Sequence, residues 1–218
     1  MAHYYGKISA PFGRKCPNDQ LVDKTIYAKP WMTIFYEENV FMYASEKIDG
    51  TNVGIKWDGD RVSFVGHTDK STFCPRYLAY LNERFGTPQF ESVLEEVFGE
   101  QPAFIFGEGV SKDYNHHYGY PDGEFIMYDI CCDGKFWNRD PVHNVAKKFG
   151  MMCPHEELMP FLDAIEFVQS RPYSWLDPTH RMEGLVLRPR VELFTNNGDR
   201  VICKVKVRDF VDVKDYRQ

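Results

Sequence analysis

Lys47 opens the run Lys47-Ile48-Asp49-Gly50-Thr51-Asn52, and three more short runs follow it in order. They are Phe106-Gly107-Glu108-Gly109, Glu183-Gly184-Leu185-Val186-Leu187-Arg188 and Lys204-Val205-Lys206. Together they supply a lysine amine, two carboxylates and a lysine pair, each at what local patterning reads as a strand end. An amine that attacks, cations that hold an anion and carboxylates that hold a cation suit covalent transfer of a nucleotide through a lysine. No single run is decisive; their order and spacing are.

K-x-x-G alone carries almost nothing, since average composition gives about one chance hit in a chain this long. It occurs here at Lys47–Gly50, Lys56–Gly59 and Lys147–Gly150. Asp58-Gly59 is explained as a hairpin turn. Lys147 and Gly150 are explained as the end of a helix, where a cation suits the dipole and glycine the cap. Only Lys47 lies between an apolar strand (Phe41-Met42-Tyr43-Ala44) and an amphipathic one, in a loop from which a side chain can reach a pocket. Glu108 and Glu183 flank apolar runs and fit either solvated strand ends or ligands. Lys204 and Lys206 alternate with Cys203, Val205 and Val207, so a period of two points both ammonium groups to one side of a sheet. An anion between them, or a plain solvated strand face, accounts for that. Phe125 begins a strand that puts Met127 and Asp129 on its own face and Ile126 and Tyr128 on the other. Spacing cannot make it more than a core aromatic.

The elements that must position these groups are legible from period and punctuation. Val53, Ile55 and Trp57 alternate with polar neighbours, Asp58-Gly59 turns the chain, and Val62 and Phe64 resume the alternation, which predicts a hairpin directly after Lys47. Phe90, Val93, Leu94, Val97 and Phe98 fall at helical spacing before Gly99, and Tyr77 to Phe85 reads as a second helix. Strands are predicted at Ala103–Phe106 and Phe125–Ile130, with a turn at Asp133-Gly134. Asp140-Pro141 opens a helix that stops at Gly150, and Pro160 to Ser170 looks helical. Strands return at Leu185–Leu187 and Val201–Val207, with Asn197-Gly198 as a turn. Helices come in scattered pairs rather than alternating with strands, so the fold class is α+β with antiparallel sheets.

With 218 residues and no repeat or linker-like tract, one domain is expected. Asp and Glu (32) exceed Lys and Arg (26) for a formal charge of −6, which excludes a uniformly basic nucleic-acid coat but not a local basic groove. From Val186 to Gln218 there are eight basic against five acidic residues, so positive charge leans toward that end. No signal-peptide core precedes the first motif, and no apolar run reaches the roughly 18 residues of a membrane span. The six cysteines contain no C-x-x-C pair and read as reduced thiols of a cytoplasmic protein. His116-His117 lies near Asp113 with no ligand set around it, so exposed loop histidines are expected rather than a zinc site.

In this order, K-x-D-G-x-N, F-G-E-G, E-G-L-V-L-R and K-V-K resemble the covalent nucleotidyltransferase superfamily of ATP-dependent DNA and RNA ligases and mRNA capping enzymes. The likeness is nearest to RNA ligases of the phage RNA ligase 2 type, and runs from about Lys7 to Phe210. Glu46 before the lysine, the Phe125-to-Ile130 strand and the closing Lys204-to-Phe210 stretch add to it. The resemblance implies a nucleotidyltransferase (adenylation) fold over 1–218 without a separate C-terminal domain, and ATP and Mg2+ as cofactors. It implies that Lys47 attacks the α-phosphate of ATP, that the AMP passes to a 5′-phosphate of RNA, and that a 3′-hydroxyl displaces it. In that scheme Glu108 holds the ribose, Phe125 stacks on adenine, Glu183 binds the metal, and Lys204 and Lys206 grip the α-phosphate. Asn52 and Glu46 line the nucleotide pocket. His67, in Gly66-His67-Thr68-Asp69, stands where the family usually has an arginine that contacts the nucleotide; Lys70 or Arg76 would have to compensate. Larger relatives continue into a C-terminal domain, so holding RNA is expected to need a partner protein or domain. Two alternatives stay open: a ligase for nicked DNA, and a non-catalytic RNA-end binding protein. Capping enzymes and DNA ligases normally add an OB-type domain, which argues against both.

Overall fold

The computed structural model describes residues 5–68, 71–111 and 124–211. In chain order its first elements are β1 (Phe12–Gly13), β2 (Asp23–Tyr27), α1 (Met32–Glu37), β3 (Phe41–Glu46), β4 (Thr51–Trp57) and β5 (Val62–Val65). Two helices follow, α2 (Pro75–Phe85) and α3 (Pro88–Phe98), then β6 (Ala103–Val110), β7 (Glu124–Cys132) and β8 (Lys135–Phe136). The last are α4 (Arg139–Lys148), β9 (Glu156–Pro160), α5 (Phe161–Gln169), β10 (Gly184–Arg188) and β11 (Cys203–Lys206). Every named strand pairs antiparallel with its neighbours, as the α+β expectation requires.

The chain forms two compact units. The first comprises Asp49–Cys153 with the N-terminal stretch ending at Gly6. Its sheet runs β5-β4-β6-β7-β8. Val53, Ile55 and Trp57 turn inward from β4, as their alternation predicts, and Leu81, Phe85, Leu94 and Phe98 of α2 and α3 close over them. The start of α3 is built for its place: the Thr87 hydroxyl accepts the Phe90 N–H at 3.2 Å, and Pro88 sits where no N–H is needed. The helix predicted from Asp140 begins a residue earlier, at Arg139, with Asn138 in the capping position.

The strand β7 departs from simple alternation. Phe106 of β6 pairs with Asp129, but the next residue, Gly107, pairs with Met127, so Tyr128 is an extra residue on β7. Such a bulge shifts the side-chain phase along the strand. Phe125 and Met127 join the apolar cluster on one side of it, and Ile130 and Cys132 on the other. The expectation that Phe125, Met127 and Asp129 share a face is thereby corrected. Asp129 turns to the opposite face, where its carboxylate accepts the Tyr5 hydroxyl at 2.5 Å and faces the Arg139 guanidinium at 3.5 Å.

The second unit comprises Lys7–Ile48 and the chain from Pro154. Its main sheet runs β11-β10-β3-β9, with β1 and β2 forming a separate pair. Met42, Ala44, Leu185, Leu187, Cys203 and Val205 pack beneath α5. The first turn of α5 lacks a cap of its own, and Asn39 supplies one across the chain: its Oδ1 accepts the Leu162 N–H at 2.9 Å. The strand predicted over Val201–Val207 is ladder-paired only at Cys203–Lys206, and a 3-10 turn takes over at Val207–Asp209. No disulfide joins any of the six cysteines.

Candidate active site

Lys47 follows directly on β3, and its backbone is pinned where the strand ends: its N–H donates to the Gly184 carbonyl at 2.9 Å. Glu183 precedes β10 in the same way, its carbonyl accepting the Val207 N–H at 3.0 Å. Gly184 and Lys206 are register partners across β10 and β11. A side chain at Gly184 would collide with that partner strand, with Lys206 Cα only 2.8 Å from an added Cβ. The glycine therefore lets the two strands approach closely enough to bring Glu183 and Lys206 together. Lys47 Nζ lies 2.5 Å from Glu183 Oε2, and the Lys206 ammonium bonds the other carboxylate oxygen, Oε1. The three side chains are 20%, 12% and 11% exposed respectively, so the charges are largely shielded from water.

Burial alone would raise the Glu183 carboxyl, but Lys47 and Lys206 outweigh it and hold the group below the ordinary carboxylate value. Lys204 pairs with Val186 on the same strand ladder, and the alternation of Cys203 and Val205 into the core leaves Lys204 and Lys206 on the outer face, as predicted. Its amine is pushed below the ordinary lysine value, first by burial and then by the neighbouring Lys206 and Lys47 charges. The second unit thus gathers Lys47, Glu183, Lys204 and Lys206.

Glu46 is not among them. Met42 and Ala44 are core residues of β3, and two residues further on Glu46 continues the core-facing side. Its carboxylate accepts the Trp175 and Leu176 N–H groups at 2.9 and 3.1 Å. It is 2% exposed and ties a distant hairpin to the strand that carries Lys47.

In the first unit, Asn52 and Glu108 stand directly opposite each other on β4 and β6. Val53 and Ile105 face the core, so both lie on the far face of the sheet. Gly50 makes room for this: an added Cβ would come within 2.6 Å of Glu108 Cγ. The Asn52 amide donates to the Tyr128 hydroxyl, while its own Oδ1 is buried without a partner. The Tyr128 hydroxyl is raised well above its ordinary value, by burial first and then by the Glu108 charge. Phe125 is not brought to this face. It is 1% exposed, packed edge-on to Phe85 at 5.6 Å between ring centroids. Tyr128, which alternation already sets opposite Phe125, is the aromatic that meets Asn52 there. His67 is exposed beyond the end of β5, and Arg76 is exposed at the start of α2. Lys70, Asp113, His116 and His117 lie outside the described residues. Among the described residues no cluster of three or more His, Cys, Asp or Glu could hold a metal. Glu183 nevertheless fits a magnesium ligand in kind, as a buried carboxylate already holding cationic charge on both oxygens; magnesium commonly takes one or two carboxylates together with phosphate oxygens.

The RNA ligase family model matches residues 41–206, which includes all four motifs, and the chain belongs to that family. Among curated proteins, none matches the chain in sequence. A Naegleria gruberi RNA ligase with pyrophosphate superposes with a TM-score of 0.61 at 13% identity, covering 94% of this chain and 60% of its own. A lysine-to-methionine mutant of a Naegleria gruberi RNA ligase, with AMP and manganese, gives 0.61 at 14% identity with the same coverages. An archaeal ATP-dependent RNA ligase gives 0.58 at 14% identity, covering 93% of this chain and 48% of its own. At such identities these likenesses establish the fold, an RNA ligase nucleotidyltransferase fold. The chain spans 60% of the length of the Naegleria structures.

Proposed function

We propose that this chain is an ATP-dependent RNA ligase that works through a lysyl-AMP intermediate on Lys47. The arrangement that carries this reading is Lys47 against Glu183, with Lys206 on the other carboxylate oxygen. A free lysine is neutral in only about 0.04% of copies at pH 7, a handicap of about 4.6 kcal/mol. Lys47 released from Glu183 has Lys204 and Lys206 as neighbours, and like charge favours the neutral amine. The Lys47 nitrogen then attacks the α-phosphorus of ATP. A P–N bond forms, the bond to the bridging oxygen breaks, and pyrophosphate leaves with those electrons. An RNA 5′-phosphate oxygen next displaces Lys47 to give an adenylylated end. A 3′-hydroxyl finally displaces AMP and closes the strand.

Lys204 and Lys206 hold the phosphate charge that builds in each step. Glu183 would hold Mg2+, which would supply further neutralisation of the phosphate oxygens when bound. Glu108 and Asn52 contact the nucleoside in this scheme. Tyr128 replaces Phe125 as the aromatic on their face of the sheet. No helix among the described residues is long and apolar enough to cross a membrane.

Incubation with α-labelled ATP and magnesium, with GTP in parallel, tests this. Label from ATP in an alkali-stable, acid-labile adduct, lost in Lys47→Ala and retained in Lys56→Ala, is the expected outcome. Label surviving in Lys47→Ala removes the nucleophile assignment. No label from either nucleotide would leave a non-catalytic RNA-end binding protein.

A further inference from the structure

The hairpin between α5 and β10 serves none of the roles above, yet it is built rigidly. Tyr173 and Arg181 pair across it, with the Ser174 N–H donating to the His180 carbonyl at 2.8 Å and the Met182 N–H to the Pro172 carbonyl at 3.0 Å. Its tip is closed by Asp177, which accepts from Thr179 and contacts the His180 ring. Glu46 ties the same tip to the end of β3, one residue before Lys47. The hairpin's other end runs through Met182 into Glu183. Met182 is fully buried in the core, which leaves Arg181 and Glu183 on the outside of the chain to either side of it.

What this scaffold presents is an exposed ring under a cation. Tyr173 is 52% exposed, and the Arg181 guanidinium lies 3.9 Å from its ring centroid. The guanidinium is fixed in turn, donating to the Arg171 carbonyl at 2.7 Å. The hairpin's one acidic residue, Asp177, is buried and occupied, so its outward charge comes from Arg171 and Arg181. On a chain of net charge −6, a rigid cationic aromatic is a local exception. Its chemistry fits an unstacked base resting on an aromatic and guanidinium surface with its phosphates near the arginines. Arg181 is two residues from Glu183, about 7 Å of extended chain, or roughly one nucleotide step.

We propose that Tyr173 and Arg181 form a stacking platform for the RNA nucleotide flanking the reacting end. This rests on the ligase reading, whose failure is read separately. The test is fluorescence-anisotropy binding of a labelled, 5′-phosphorylated nicked RNA to the full chain, in wild type, Tyr173→Ala, Tyr173→Phe and Arg181→Gln, with thermal unfolding as the folding check. Tyr173→Ala is expected to weaken RNA binding about tenfold and Tyr173→Phe to restore it. Arg181→Gln is expected to weaken binding and flatten its salt dependence by about one unit of log–log slope. Unchanged RNA affinity in folded Tyr173→Ala and Arg181→Gln, or no RNA binding by the wild type, overturns the platform. Absence of lysyl-AMP in wild type that still binds RNA through Tyr173 would instead overturn the ligase chemistry alone.

Discussion

Glu183 sits between two ammonium groups, so its removal is first a problem of uncompensated charge. Glu183→Gln keeps the shape but leaves Lys47, Lys206 and the nearby Lys204 facing one another in a partly dry site. Breaking a buried ion pair from one side typically costs about 3 kcal/mol, and a loss of that order is expected in urea unfolding at neutral pH. The pH dependence has a fixed sign. The folded Glu183 carboxyl lies below its ordinary value of 4.5, so its stabilisation is fully present above that value and disappears as pH falls through the folded one. The stability gap between wild type and Glu183→Gln should therefore hold at neutral pH and close as the pH falls below 4.5. A gap independent of pH would mean that packing, not charge, holds the cluster. The sequence marked Lys47, Glu183, Lys204 and Lys206 together through the order and spacing of the short motifs that carry them. It did not show where the Glu46 carboxylate bonds, since its partners, Trp175 and Leu176, are distant in sequence.

A close approach of two strands and a helix cap govern the elements. At Gly184 an added methyl would meet the backbone of β11, not a side chain that can swing aside. Gly184→Ala is expected to part β10 from β11 at the Gly184–Lys206 pair, costing more than about 1 kcal/mol and lowering adenylylation. Wild-type stability and labelling together would show that the strands tolerate the separation. Thr87→Ala removes the side-chain acceptor at the start of α3 and should cost about 1 kcal/mol in thermal or urea unfolding, without touching the site. Helices such as α3 were legible because Phe90, Val93, Leu94, Val97 and Phe98 recur at helical spacing and a terminal glycine marks the end. The strand β9 was not, because Glu156 and Glu157 stand side by side and break the alternation that identifies a strand.

At the scale of the whole chain, net charge sets how nucleic acid can be held. With a formal charge of −6, the proposed binding to RNA must depend on a few local cations rather than a general basic surface. The expected log–log slope of RNA affinity against salt is shallow, about −2 to −4, which titration of binding from low to physiological salt would measure. A slope near −8 would point to a far wider cationic contact than the Lys204–Lys206 pair and the Arg171–Arg181 hairpin provide.

Residue order alone decided the chemistry on offer: four motifs in sequence, each local enough for composition and period to expose it. It also decided the α+β class, because alternation at period two and helical spacing are properties of short segments. Folding decided which of those groups meet. Lys47 reaches Glu183 across 136 positions of chain, and Lys206 joins them only because a glycine lets two strands close. The turn of Asp129 away from the face of Phe125 and Met127 came from a single extra residue in β7, visible only in the pairing of one strand against another. Long-range pairing is a property of the whole chain's packing, and no local period carries it.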